Sequence, residues 1–197
     1  MRRYTIGSLV LISAALTASG CQAANKLKIG DPAPQWTGIA GTDDKPHSLA
    51  DFKDAKAVVV VFTCNHCPVA QAYQDRLVAL QKDYKDKGVQ VIAICVNKEA
   101  ADDLAAMKKR AESAGFNFPY LSDPTQQAGR NYGATCTPHA FVLDKDRKLA
   151  YKGAIDDEMH ADKVKKQHVR AALDALLDGK TPETPVTQQF GCGIHYE

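Results

Sequence analysis

The sequence of 197 residues has little excess charge, since 25 Lys and Arg residues stand against 23 Asp and Glu residues. Arg2 and Arg3 lie in a segment that we expect to be removed, which would leave 23 residues of each sign. This balance gives no electrostatic reason to expect a nucleic-acid partner. The sequence also lacks internal repeats and low-complexity segments. Its hydrophobic content of 45% suits one globular domain with a sizeable core.

A long hydrophobic run is missing as well. The apolar stretch at 6–16 is too short and too weak to span a bilayer as a mature helix. Residues 1–24 instead have the pattern of an export signal, and the small residues before Cys21 resemble a bacterial lipobox, in which Cys21 would be lipidated. Ordinary cleavage near Ala23 or Ala24 is the alternative. Either route predicts an exported protein of the periplasm or cell envelope, anchored to a membrane by lipid if Cys21 is modified.

The motif CNHCP at 64–68 is the most informative feature. It directly follows the unbroken apolar run at 57–63, which predicts a buried parallel strand. It directly precedes a helical pattern at 68–87. Two thiols at the start of a helix, Cys64 and Cys67, can open and close a disulfide, because the helix N-terminus stabilises the thiolate. A static structural disulfide is the alternative, but so short a loop adds little stability.

The order of predicted elements is strand, helix, strand, helix, strand, strand, helix. This alternation predicts an α/β fold with a central mixed sheet and helices on both faces. A Cys-x-x-Cys motif at the first strand–helix junction is typical of a thioredoxin-like fold. The further elements of this order are strands at 89–96, 141–143 and 149–152 and helices at 99–113 and 162–177, and a short extended segment at 118–121 and a short helix at 124–132 lie between them.

With these motifs, the chain resembles the thioredoxin-like superfamily, in the branch shared by exported TlpA-type thiol-disulfide oxidoreductases and AhpC/TSA redoxins. The resemblance covers about residues 28–178 and includes the lead-in IGDPAP at 29–34 and the segments CTP at 136–138 and GCGI at 191–194. It implies a redoxin domain at 25–178 and a cysteine-bearing tail at 179–197. It also implies an enzyme that exchanges disulfides with protein thiols and a redox partner, with no cofactor besides its own disulfide.

Two departures from the family patterns matter. Thioredoxins carry a buried carboxylate beneath the cysteines, and the matching residue here is Val58. AhpC/TSA peroxidases need Pro-x-x-x-Thr-x-x-Cys, but Val60 and Cys64 fill the Pro and Thr places when the motif is counted back from Cys67. Counting back from Cys64 gives no match either. A thiol-dependent peroxidase is therefore the weaker alternative.

For the catalytic group we expect an exposed Cys64 to attack, Cys67 to resolve the mixed disulfide, and His66 to lower the pKa of Cys64. A stabilised thiolate favours the reduced form, so we expect a couple more oxidising than thioredoxin. The resemblance implies that Pro138 is cis and that it presents the backbone of Thr137 to a substrate peptide. An ordinary proline at a strand edge is the alternative.

The other cysteines suggest further roles. Cys136 lies two residues before Pro138, where it could be a second redox thiol, and Cys192 in the tail is its natural partner in a possible second disulfide. Alternatively both are free, or Cys192 meets another chain. Cys95 lies in a predicted buried strand, where it suits a core residue.

A metal site is a further alternative. His139 follows Pro138 and could join Cys64 and Cys67 in a soft site for copper or zinc, which would make the protein a copper-binding carrier. Exported copper carriers with this fold use Cys-x-x-x-Cys, and the motif here is one residue shorter.

Overall fold

The computed structural model describes residues 27–197. Seven strands form the main sheet in the order β2-β1-β5-β4-β3-β7-β8. β3 is parallel to β4 and β4 to β5, whereas the remaining neighbours are antiparallel. The predicted mixed sheet is confirmed. The strands are β1 Ile39–Gly41, β2 Pro46–His47, β3 Ala57–Phe62, β4 Val89–Cys95, β5 Tyr120–Ser122, β6 Cys136–Thr137, β7 His139–Leu143, β8 Leu149–Gly153 and β9 Cys192–Gly193.

The helices differ from the predicted bounds in four places, one of which is the helix predicted at 124–132, which begins at Gln127. The predicted helix at 68–87 is two helices that meet at Tyr73. The start predicted at 99 is wrong, because the side chain of Asp103 caps the helix at 104 by accepting from the N–H of Ala106. The start predicted at 162 is also wrong. The helices are α1 Pro68–Ala72, α2 Gln74–Tyr84, α3 Leu104–Ser113, α4 Gln127–Tyr132 and α5 His168–Leu177, with 3₁₀ turns at Leu49–Phe52, Lys85–Lys87, Ala100–Asp102 and Ala161–Lys163.

The late start of α5 has a local cause. The carboxylate of Asp157 accepts hydrogen bonds from the backbone N–H groups of Lys165 and Lys166, at 2.9 and 3.0 Å. These bonds hold the segment before His168 outside the helix.

The central strand β3 divides the core into two layers, because successive side chains point to opposite faces. All six of its residues are fully buried. Val59 and Val61 pack in the layer that holds Leu77, Met107 and Leu173 of the helices. Val58, Val60 and Phe62 pack in the other layer, with Trp36 and Tyr132.

The tail after α5 returns to the sheet. Its strand β9 pairs antiparallel with β6, with Cys192 opposite Thr137 and Gly193 opposite Cys136. Within residues 27–197, none of the helices combines the length and the apolar character that a bilayer-spanning segment needs. The proposed signal at 1–24 and the lipidation site Cys21 lie outside the described residues.

Candidate functional site

The Cys-x-x-Cys motif lies where β3 ends and α1 begins. Pro68 occupies the first helical position, where the missing N–H costs no hydrogen bond. Cys67 is therefore the N-cap residue, and its sulfur accepts from the N–H of Ala70 at 3.4 Å. The start of the helix thus aims a backbone donor at one of the two sulfurs.

Thr137 connects the two thiols to the β6–β7 segment. Its Oγ1 lies 3.3 Å from Cys64 Sγ, and its carbonyl oxygen lies 3.2 Å from Cys67 Sγ. Thr137 therefore contacts both sulfurs. The Thr137–Pro138 peptide bond is cis, as predicted. The structure therefore brings together Cys64, Cys67, Thr137 and Pro138, four residues that the sequence analysis placed in one site.

Of the two thiols, Cys67 is the one with the stabilised charge. A hydrogen bond from Cys64, together with bonds from Cys192 and the Ala70 N–H, lowers the pKa of Cys67 to about 4 against the opposing effect of burial. The Thr137 carbonyl can accept only from a protonated Cys67 and so opposes ionisation, but three donors outweigh one acceptor. Donating to Cys67, and burial, raise the pKa of Cys64 well above its ordinary value. The donors around this pair thus favour a thiolate on Cys67, whereas we expected it on Cys64.

The exposure of Cys64 also differs from the prediction. Its relative exposure is 1% and that of Cys67 is 0%. The reason is that Thr137 and the C-terminal strand lie against the pair, a long-range contact that no local pattern around the motif reveals. Phe190 packs against the ring of Tyr73 with centroids 6.2 Å apart, and Cys192 contacts Cys67.

A buried carboxylate that sequence reasoning missed lies beside the motif. Asp102 is 1% exposed and accepts from the backbone N–H groups of Asn65 at 2.6 Å and His66 at 3.3 Å. Its other oxygen is 2.5 Å from Nδ1 of His66. Its negative charge contributes to the raised pKa of Cys64. The site thus has a buried carboxylate, although it comes from the turn before α3 rather than from the position of Val58.

His66 lies between Cys64, whose pKa we expected it to lower, and Asp102. Its ring nitrogen lies within 4.8 Å of Cys64 Sγ, but its hydrogen bond is with Asp102.

Asn65 is held by three hydrogen bonds: Tyr120 OH donates to its Oδ1 at 3.0 Å, its Nδ2 donates to the Ala101 carbonyl, and its own carbonyl accepts from Gln71. The two residues between the cysteines therefore serve to fix the loop against Asp102 and its neighbours.

The two thiols of the possible second disulfide are both free in the structure. Cys136 and Thr137 are consecutive on β6, so their side chains point to opposite faces of the β6–β9 pair. Cys192 is opposite Thr137, which places it on the face of Cys64 and Cys67, whereas Cys136 is directed toward the carbonyl of Pro138. This register does not favour the Cys136–Cys192 bond, which stays a prediction.

The predicted metal set of Cys64, Cys67 and His139 is not assembled. His139 is directly opposite Phe62 in the β3–β7 pair, so its side chain lies in the layer across the sheet from the cysteines. Its ring centroid lies 4.5 Å from that of Phe141, with the two rings tilted by 35°, and its Nδ1 accepts from the N–H of Thr135. Burial lowers the pKa of His139 to about 4. Within the described part of the chain, the one metal-type grouping is Cys64, His66 and Asp102, whose ligand atoms lie within 4.8 Å of one another.

The sequence of this chain matches a known protein family. The Redoxin family model matches residues 28–172. The chain belongs to the Redoxin family. It is similar to a thiol-disulfide oxidoreductase, ResA of Bacillus thuringiensis (strain Al Hakam), with 30% identity over 124 residues, which cover 63% of this chain and 68% of that protein. The predicted enzyme class, a thiol-disulfide oxidoreductase, is confirmed.

Two solved structures are similar over most of their length. An uncharacterised conserved protein from Geobacillus kaustophilus shares 37% identity with a TM-score of 0.80, covering 88% of this chain and 94% of that one. A hypothetical protein from Sinorhizobium meliloti shares 32% identity with a TM-score of 0.81, covering 88% and 97%. The predicted thioredoxin-like fold is confirmed by the similarity to the thioredoxin domain of a thiol-disulfide oxidoreductase from Bacteroides vulgatus, with 24% identity and a TM-score of 0.56, covering 64% of this chain and 89% of that one.

Proposed function

We propose that this protein is an exported thiol-disulfide oxidoreductase that exchanges disulfides with protein substrates through the Cys64–Cys67 couple. The observation that carries the proposal is that both sulfurs lie against Thr137 at the N-terminus of α1, at 3.3 and 3.2 Å from its Oγ1 and its carbonyl oxygen. Two thiols in contact can form a disulfide with little movement of the chain. The Cys67 sulfur also accepts a hydrogen bond from the backbone N–H of Ala70, which stabilises it as an attacking thiolate or as a leaving group.

The electrostatics support an oxidising couple. A disulfide carries no charge, so hydrogen bonds that stabilise the Cys67 thiolate stabilise only the reduced form. The protein in its disulfide form should therefore accept electrons from substrate thiols more readily than thioredoxin does. Export follows from the sequence pattern at 1–24, and a lipid anchor at Cys21 is part of the same proposal.

Insulin reduction and oxidative refolding of a reduced protein test this function directly. We expect Cys67→Ser to abolish exchange and Cys64→Ser, which cannot form the Cys64–Cys67 disulfide, to weaken it. Cys95→Ala should retain it, since Cys95 is buried in β4 and burial raises its pKa to about 12. Exchange that survives in both serine variants would overturn the proposal.

The same preparations separate the alternatives. The Pro and Thr of a peroxidatic motif are replaced by Val60 and Cys64, so we expect no peroxide-dependent thiol consumption above the level of the Cys67→Ser variant. Peroxide consumption that requires Cys67 would favour a peroxidase. Stoichiometric Cu(I) binding without any exchange activity would favour a copper carrier.

A further inference from the structure

The C-terminal strand occupies the backbone edge that a substrate peptide was expected to use. Cys192 and Gly193 pair with Thr137 and Cys136, and the N–H of Ile194 donates to the Thr135 carbonyl at 3.0 Å. Gly191 approaches so closely that a Cβ there would lie 2.1 Å from the Thr137 carbonyl oxygen. A second peptide cannot pair with Thr137 while β9 does.

Side chains hold the tail in the same position. The ring of Phe190 packs against Tyr73, and Tyr196 OH donates to the Ala134 carbonyl at 2.8 Å. Nε2 of Gln126, itself buried, donates to the His195 carbonyl at 2.8 Å. The tail is therefore fixed on the domain by main-chain and side-chain contacts on both sides of Cys192.

This placement sets Cys192 against the redox pair. Cys192 is opposite Thr137, whose carbonyl oxygen lies 3.2 Å from Cys67 Sγ, and its side chain packs against the core layer that contains Cys64 and Cys67. Cys192 is partly exposed, whereas the other cysteines in the described part of the chain are buried. Of these three cysteines, Cys192 is therefore the one with solvent-exposed surface in this conformation.

We propose that Cys192 is a third redox-active cysteine that exchanges with Cys67 and relays the disulfide between the buried Cys64–Cys67 couple and protein thiols outside. This inference rests on the proposed function and assigns the route by which substrates reach the couple. The partner chemistry is a protein dithiol in one direction and a protein disulfide in the other.

The relay balances in atoms and electrons. Starting from the Cys64–Cys67 disulfide, the Cys192 thiolate attacks Cys67 Sγ, the Cys67–Cys192 disulfide forms, and Cys64 leaves as a thiolate that takes up a proton. A substrate thiolate then attacks Cys192 Sγ, and Cys67 leaves. The second substrate thiolate attacks the substrate sulfur of this mixed disulfide, which releases Cys192 and the substrate disulfide. Two electrons pass from one substrate dithiol to the couple, and a protein disulfide recharges the couple by the reverse steps.

The chemistry of Cys67 suits the second step of this relay, in which Cys67 is the leaving group. The best leaving group in thiol-disulfide exchange is the thiol with the lowest pKa, and Cys67 is that thiol in this site. Cleavage of the Cys67–Cys192 bond is therefore favoured when a substrate thiolate attacks Cys192, because the N–H of Ala70 stabilises the Cys67 thiolate that is released.

Trapping in the full-length Cys64→Ser variant tests the pairing. After incubation with oxidised glutathione, we expect peptide mapping by mass spectrometry to find a Cys67–Cys192 disulfide. A Cys136–Cys192 disulfide, or a glutathione adduct on Cys192 that never resolves to Cys67, would overturn the proposal.

Kinetics of the full-length Cys192→Ser variant test the relay. We expect oxidation of a reduced protein substrate to slow by about tenfold or more, while the Cys64–Cys67 disulfide still maps in that variant. Cys192→Ala should behave alike, and Cys95→Ala should match the wild type. Wild-type rates in both Cys192 variants would show that the tail is merely displaced and would overturn the relay alone. Loss of the Cys64–Cys67 disulfide from the wild-type protein would instead overturn the proposed function.

Discussion

The stabilised Cys67 thiolate makes a quantitative prediction about how the reduction potential depends on pH. The ordinary pKa of a cysteine is 9.0, and the site lowers that of Cys67 to about 4. A pH of about 7 is therefore about three units above the pKa of Cys67. Ionisation at this pH stabilises the reduced form by about 4 kcal/mol, or about 90 mV for a two-electron couple.

The sign follows from which form carries the charge. Because the pKa is lowered in the folded, reduced protein, the stabilisation is fully present above about pH 9, decreases as the pH falls, and is lost below about pH 4. Between about pH 5 and about pH 8, reduction of the disulfide takes up one proton for two electrons. The potential should then fall by about 30 mV per pH unit, rather than the about 60 mV expected when both thiols are protonated.

Equilibration with a dithiol buffer of known potential at several pH values measures this slope. The ultraviolet absorbance of the thiolate gives an independent titration, which should disappear in Cys67→Ser and remain in Cys95→Ala. A slope near 60 mV per pH unit across this window would refute the reasoning. So would a thiolate below about pH 6 that survives in Cys67→Ser.

Two further predictions concern the groups that hold the site, both measured by urea unfolding of the reduced protein. Asp102→Ala should lower the free energy of unfolding by about 2–4 kcal/mol, because three donors lose their acceptor. The control Asp103→Ala, which removes only a helix cap, should lower it by about 1 kcal/mol. Equal losses would contradict the role given to Asp102. Arg76→Met should cost about 2–3 kcal/mol, since it leaves the buried carboxylate of Asp156 without its cation. The more exposed ion pair of Arg170 with Asp83 should contribute less than about 1 kcal/mol to the free energy of unfolding. A loss from Arg170→Ala as large as that from Arg76→Met would contradict this difference.

The motif and its element context were predictable because they depend on local pattern. The apolar run at 57–63 has no alternation, so it indicates a strand covered on both faces, and Pro68 marks the first turn of a helix. The cis bond before Pro138 came from the family position of that residue. These features place both sulfurs at the first strand–helix junction before any coordinates are known.

The remainder depends on contacts between distant parts of the chain. Asp102 is 37 residues from Asn65 in sequence, and nothing in its local pattern distinguishes it from Asp103, which caps a helix. The burial of Cys64 depends on a two-residue strand in the tail. His139 was assigned to the cysteines because it follows Pro138, whereas its pairing with Phe62 places it on the other face of the sheet.

The pairing of Cys192 could not be decided from sequence for the same reason. A shift of one residue between β6 and β9 would turn Cys192 from the face of Cys67 to the opposite face. Sequence proximity of Cys136 to Pro138 suggested one pairing, and the observed register favours contact with Cys67 instead.

The most direct test of the central claim is a redox titration of the full-length protein in glutathione buffers, with each cysteine mapped by mass spectrometry. We predict that Cys64 and Cys67 interconvert reversibly between dithiol and disulfide, with a potential above the about −270 mV of thioredoxin. A pair that stays reduced or stays oxidised at every glutathione ratio, or a potential at or below that of thioredoxin, would contradict the account.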